Sequence, residues 1–247
     1  MNIKIIKAPD NIKPYIIIDK PAGLPSAPLS QNDNQNAFSM AAEEFPELLT
    51  VNGKKEIEHG LIHRLDTATS GLIIIAADQN CYDFLEKEQQ ENRIIKTYRA
   101  RCNLVKYSEE GFPVFPFKIA GAQSFAISSY FRPFGPGRKL VRPVTSDSGK
   151  AALKKLGKQV LYTTNVKILS VNKTEGTAEV ECSITNGYRH QVRCHLAWCG
   201  LPVENDEQYN PLVKQKSTEP MKFCAVKIEF EYPRGDLNSY DRKDTWT

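Results

Sequence analysis

The 247-residue sequence predicts an α+β fold with a central mixed or antiparallel sheet and a few helices. Three observations lead there. Strand-like runs dominate, with only a few helical stretches between them. No regular β–α–β alternation joins these runs, which argues against an all-parallel sheet. No repeat period or low-complexity linker divides the chain, so residues 1–247 are expected to form one two-lobed catalytic domain, with 234–247 as a loose tail.

Taken in order, "PYIIIDKPAGLPSAP" (14–28) starts as a short buried strand and runs into a loop punctuated by Gly23 and several prolines. "AFSMAAEEFPELL" (37–49) has helical composition, limited by Pro46. "GLIIIAA" is too short for a helix and is rich in β-branched residues, which makes it a central strand. In "NCYDFLEKEQQ" (80–90), Cys81, Phe84 and Leu85 fall at helical spacing behind Asn80 as a cap. "IIKTYRARCNLV" (94–105) alternates, with Tyr98, Ala100, Cys102 and Leu104 on one face and Arg99, Arg101 and Asn103 on the other. "AEVECSI" (178–184) is a further strand. "RHQVRCHLAWCG" (189–200) places Val192, Leu196 and Cys199 on a helical stripe that Gly200 stops. "FCAVKIEFEYP" (223–233) alternates again, burying Cys224, Val226, Ile228 and Phe230.

Composition narrows the function classes. The chain is 40% hydrophobic and 25% charged, ordinary for a globular protein. No apolar run approaches the roughly 20 residues that span a bilayer, so no membrane partner is expected. The opening "MNIKIIKAPDNIKP" lacks the features of a secretory signal. The six cysteines form no short-chain disulfide framework, and a reducing cytoplasm is the expected compartment. A net charge of +4 does not by itself argue for nucleic acid. Its distribution is more telling: eight basic residues against Asp147 alone lie between Arg132 and Lys158. The front of that segment, "YFRPFGPGRKLVRP", mixes aromatics and arginines, which suits a loop (131–142) contacting phosphates and unstacked bases. A solvated basic loop fits the same composition.

Several constellations bear on chemistry. His190, Cys194, His195 and Cys199 invite zinc, but on a helix they do not share one face, and Val192 and Leu196 fill the stripe that Cys199 continues. Buried thiols and a packed histidine fit better, and no metal is expected. "HRLD" shares letters with a protein-kinase catalytic loop, yet the order is wrong and the glycine-rich and D-F-G elements are missing. No dinucleotide or phosphate-loop fingerprint stands between a strand and a helix.

The stretch "HGLIHRLDTATSG" (59–71) sets Asp66 beside Arg64, just ahead of a segment that must be buried. An isolated buried carboxylate tends to neutralise, whereas one facing an arginine stays ionised. The charge serves either structure or chemistry. Here "HRLDTATSG" (63–71), "KTYRA" (96–100), "HQVRCHLAWCGLPVENDEQY" (190–209) and, upstream, "DKPAGLP" (19–25) resemble the sequence blocks of the RluA-type RNA pseudouridine synthases, in the family's order over about 190 residues.

The resemblance implies the pseudouridine synthase fold, with a central mainly antiparallel mixed sheet, flanking helices and a catalytic cleft, and an isomerase that converts uridine in ribosomal or transfer RNA to pseudouridine. The base is detached from C1′, turned and rejoined through C5, so no cofactor is implied. Asp66 matches the family's catalytic aspartate, and Arg193 the arginine that pairs with it. Arg64 matches the residue that helps occupy the gap left by the extruded base, and Tyr98 the tyrosine on which that base stacks. Base–aromatic stacking is worth roughly 1–3 kcal/mol, against a few for flipping. Tyr98 also fits a plain core tyrosine, and His63 is expected to position its neighbours.

Some positions depart from the family pattern. Tyr188 replaces an arginine, and Asn205 and Asn210 replace glycines, which leaves RNA specificity open. Residues 107–159 match poorly. Only about 13 residues precede "PYIII", so no separate N-terminal RNA-binding domain is expected and target choice would fall to the catalytic domain. A monomer is favoured. The alternative is a non-catalytic RNA-binding or ribosome-assembly protein on the same scaffold.

Overall fold

Isoleucine runs build the first part of the sheet. In the computed structural model, which describes residues 3–30, 33–106, 110–116, 121–156, 159–215 and 217–243, "YIIIDK" is strand β2 (Tyr15–Lys20) and "SGLIIIA" is β3 (Ser70–Ala76). They pair antiparallel, with Ile16 opposite Ile75 and Ile18 opposite Ile73. Almost every residue of both strands is buried, as continuous apolar runs require when a strand is covered on both faces. The chain divides into two compact units, Met1–Thr97 with Cys224–Thr247, and Tyr98–Phe223.

In the first unit, β1 (Lys4–Lys7) edges β2, and β9 (Phe223–Glu231) lies parallel to β3, with Gly71 opposite Ala225. Gly71 has φ +121°, and a Cβ there would sit 2.2 Å from the Ala225 carbonyl oxygen. Only glycine permits that approach. The other pairings described are antiparallel, which makes the sheet mixed as expected. Helix α1 (Ala37–Glu44) is capped by Asn36 and stops at Phe45, since a residue before proline is pushed out of the helical region. Helix α2 (Gln79–Gln90) is capped by Asp78, whose carboxylate accepts from the Cys81 N–H at 2.7 Å. The expected cap, Asn80, is already inside the helix; Asp78 alone has the extended backbone that a cap needs. Cys81 and Leu85 pack from α2 onto Tyr15, Ile17, Leu72 and Ile74.

The tail is not loose throughout. Leu237–Asp241 forms β10, antiparallel to β9, and Arg242 pairs with Asp19 at 2.7 Å. A short polar run makes a weak strand signal, and β9 supplies the ladder that orders it. Residues 244–247 of that expected tail lie outside the described residues.

In the second unit the strand order is β4–β8–β7–β5–β6, from β4 (Ile95–Asn103), β5 (Ser124–Phe134), β6 (Leu140–Val144), β7 (Tyr162–Asn172) and β8 (Thr177–Ile184). Tyr98, Ala100 and Cys102 are buried on alternate positions, but Leu104 lies beyond the end of β4 and is exposed. Helix α3 is a single short turn (Lys150–Leu153), whereas helix α4 (Gln191–Trp198) is buried on every side, so the stripe expected on it is part of a wholly covered helix. In β9, Val226 is only half-buried.

The basic aromatic segment 131–142 is a correction. It is a β5–β6 hairpin whose tip is Pro136–Arg138, not an open loop. Phe131 and Arg142 point inward. The Arg142 guanidinium lies over Phe112 at 4.3 Å and Phe134 at 4.5 Å, and its Nε donates to the Glu110 carbonyl at 2.9 Å. Arg138 and Lys139 remain exposed at the tip, which Arg189 ties down by donating to the Arg138 and Leu140 carbonyls. Lys158, the last of the basic residues, lies outside the described residues.

Candidate active site

Asp66 sits at the start of a tight turn in the first unit, where the Thr69 N–H donates to the Asp66 carbonyl at 2.9 Å. The turn is fixed by the "DKPAGLPS" loop. Lys20, at the end of β2, is fully buried, and its ammonium donates to the carbonyls of Leu24 (2.7 Å), Pro21 (3.0 Å) and Thr67 (3.2 Å). The Gly23 N–H reaches the same Thr67 oxygen at 2.8 Å. The Ser26 hydroxyl donates to the Leu65 carbonyl and accepts from the Leu65 N–H. The end of β2 and the loop after it, through Lys20, Gly23 and Ser26, therefore clamp the backbone on both sides of Asp66. Burial pushes the Lys20 ammonium down to about 8, against the pull of Asp66 and Asp19. In the sequence Lys20 stands out only as part of "DKPAGLP", and Ser26 carries no signal beyond the turn-rich composition.

Arg64 is exposed beside this turn and bonds Glu58 at 2.9 Å. His63 has both ring nitrogens buried without a hydrogen-bond partner among the described residues, and burial, aided by the charge of Lys96, pushes it down to about 3. It is a neutral imidazole at ordinary pH.

The second unit holds the other residues. Tyr98 is buried and its ring stacks on Phe223, with centroids 5.1 Å apart and planes within 9°. Arg193, on α4, is buried. Its Nε and Nη2 grip the Asp206 carboxylate at 2.8 and 2.7 Å, and Nη2 also donates to Gln208 Oε1 at 2.8 Å. Its guanidinium lies over the Tyr209 ring at 5.2 Å. Asp206 is thus a partner of Arg193 that nothing in the stretch "NDEQY" singles out by itself. Arg193 belongs to the second unit and Asp66 to the first.

The two departures from glycine have local reasons. Asn205 has φ +63°, a conformation that asparagine tolerates, and Asn210 donates to Asn103 Oδ1 at 2.7 Å and to the Val203 carbonyl at 2.8 Å. Tyr188 stacks face to face on Phe131 at 5.0 Å. His190, Cys194, His195 and Cys199 each bond to other groups. Cys194 Sγ donates to the Val141 carbonyl and Cys199 Sγ to that of Leu196. His195 bonds the Ser129 and Thr164 hydroxyls, and His190 bonds the Tyr209 hydroxyl. No helix among the described residues is long and apolar enough to cross a membrane.

Residues 14–198 match the family described as RNA pseudouridylate synthase. The chain is 27% identical over 241 residues to an uncharacterized RNA pseudouridine synthase of Mycoplasma pneumoniae, covering 92% of this chain and 67% of that one. It is 29% identical over 212 residues to ribosomal large subunit pseudouridine synthase D of Neisseria meningitidis serogroup B, covering 85% of this chain but 47% of the relative. The chain therefore spans between about half and two thirds of these relatives' length. Among solved structures, human RNA pseudouridylate synthase domain containing 1 superposes with a TM-score of 0.68 over 98% of this chain and 84% of its own, at 16% identity, which shows the fold.

Proposed function

The chain belongs to the RNA pseudouridylate synthase family, and from that premise we propose that it isomerises uridine to pseudouridine within ribosomal or transfer RNA, with Asp66 as the catalytic carboxylate. The observation that carries this reading is the Asp66 turn: a buried lysine, a glycine N–H and a serine hydroxyl hold its backbone, so the carboxylate is aimed by a rigid support. In the reaction the C1′–N1 bond breaks and a C1′–C5 bond forms. The proton on C5 is lost and N1 takes one up, so the product is an isomer and the step needs no redox partner.

The remaining roles follow the resemblance. Arg193 takes the role that the resemblance gives it, the arginine partner of the catalytic aspartate. Arg64, exposed and paired with Glu58 at the surface, enters the space left in the RNA. The extruded base extends the Phe223–Tyr98 stack. The exposed Arg138 and Lys139 contact phosphates and contribute to target choice.

Tritium release from RNA labelled at uridine C5 tests the reading. Wild-type protein should release tritium with no added metal, and EDTA should leave the rate unchanged. Asp66→Asn should melt like wild type, bind RNA and release none. A well-folded Asp66→Asn protein that still forms pseudouridine would falsify the assignment. Wild-type protein that binds ribosomal and transfer RNA without releasing tritium would instead support a non-catalytic RNA-binding scaffold.

A further inference from the structure

We infer that Asp206 is a positioning residue for Arg193: its carboxylate, with Gln208 and Tyr209, fixes the plane of the guanidinium that the proposed reaction uses. The inference rests on the functional reading above.

The geometry is specific. Three donors of Arg193 are committed inside the second unit, Nε to Asp206 Oδ2 and Nη2 to both Asp206 Oδ1 and Gln208 Oε1. A bidentate carboxylate fixes a guanidinium in two dimensions at once. The third is set by the Tyr209 ring beneath it. That ring cannot drift, because the Tyr209 hydroxyl accepts from the Val141 N–H at 3.0 Å and bonds His190 Nδ1 at 2.9 Å.

Asp206 is itself built in. Oδ1 also accepts the backbone N–H groups of Gln208 (2.9 Å) and Tyr209 (3.3 Å), and the Asp206 carbonyl accepts the Asn210 N–H at 3.0 Å. The carboxylate has no exposure to solvent and the arginine side chain only 5%. A pair this deep adds little net stability, because removing both charges from water costs about what their attraction returns. Its consequence is geometric: the charge of Arg193 can be presented in one orientation only.

The test uses the full chain as wild type, Asp206→Asn and Gln208→Met, with thermal melts, turnover, KM and the Arg193 Nε–H resonance in arginine-labelled protein, assigned with Arg193→Lys. Asp206→Asn keeps the size of the side chain but turns an amide N–H₂ toward the guanidinium. Turnover per folded molecule should fall by about tenfold or more with KM within about twofold, because misplacing a group by an ångström costs rate rather than binding. The Arg193 Nε–H resonance should shift and broaden. Gln208→Met, which leaves the ion pair intact, should lower turnover by about threefold, the loss expected of one hydrogen bond.

Wild-type turnover and an unmoved resonance in folded Asp206→Asn would overturn the inference. If that variant does not fold, wild-type turnover in Gln208→Met overturns it. Wild-type protein inactive on every RNA would refute the functional reading, and the resonance then decides the clamp by itself: an unmoved signal in Asp206→Asn overturns it.

Discussion

His195 should make this protein acid-sensitive, by an amount that follows from its surroundings. The imidazole is wholly buried on α4, bonded through Nδ1 to Thr164 Oγ1 and through Nε2 to Ser129 Oγ, both at 2.9 Å, and stacked on Phe131 at 4.9 Å. Two hydroxyls can satisfy a neutral ring in either tautomer, one donating and one accepting. Burial is what disfavours the cation, and it pushes the group from 6.5 down to about 3. A histidine with a depressed folded-state pKa contributes stability that is fully present above 6.5 and lost as pH falls toward 3, because the unfolded chain takes the proton first. At about 1.4 kcal/mol per pH unit, moving from pH 7.5 to pH 5 should cost about 2 kcal/mol through this residue. Urea unfolding of wild type and His195→Gln at both pH values isolates the effect, since His63 and the carboxylates contribute equally to both proteins. The variant should be less stable at pH 7.5, and the gap should shrink by about 2 kcal/mol at pH 5. A gap of the same size at both pH values would refute the reasoning.

Three further outcomes follow from the placement of individual basic residues. Arg142→Gln should cost roughly 2–3 kcal/mol in urea unfolding, since it removes a buried cation from two aromatic faces and strands the Glu110 carbonyl; the salt slope of RNA binding should not change. The double change Arg138→Gln with Lys139→Gln should do the opposite, leaving the melt within about 0.5 kcal/mol and reducing the salt slope by up to about two. Equal effects from both sets would show that the hairpin tip is not the RNA contact. Arg242→Ala should cost about 3 kcal/mol, because it strands the Asp19 carboxylate, 11% exposed, which Arg242 holds at 2.7 Å. Adding Asp19→Asn should recover part of that loss, and full additivity of the two changes in thermal melts would rule out the pairing.

What was legible in the sequence was whatever a short window decides. The apolar runs of β2 and β3 could only be buried strands, Pro46 had to end α1, and the alternation from Tyr98 to Cys102 survived into β4. The "HRLDTATSG" block likewise carries its own turn, with Asp66 and Thr69 bonded within it.

Other features depended on partners distant in the chain. Asn80 and Asp78 are equally good caps by type, and only the backbone angle at Asp78 chose between them. The basic segment 131–142 carried the composition of a loop, but its two arms pair across the Pro136–Arg138 tip, and that ladder turns Arg142 inward onto Phe112. The polar run at 237–241 has only a weak strand signal of its own and becomes a strand because β9 offers its edge. Arg193 shows the same limit at the candidate site. Its residue type announced a need for a carboxylate, while Asp206, 13 positions on, became that partner because the loop after α4 folds back and lends two backbone N–H groups to hold it. Sequence specifies which side chains require burial, charge compensation or a hydrogen bond; the tertiary structure alone selects which distant group meets the requirement, because the selection is made by distance and direction.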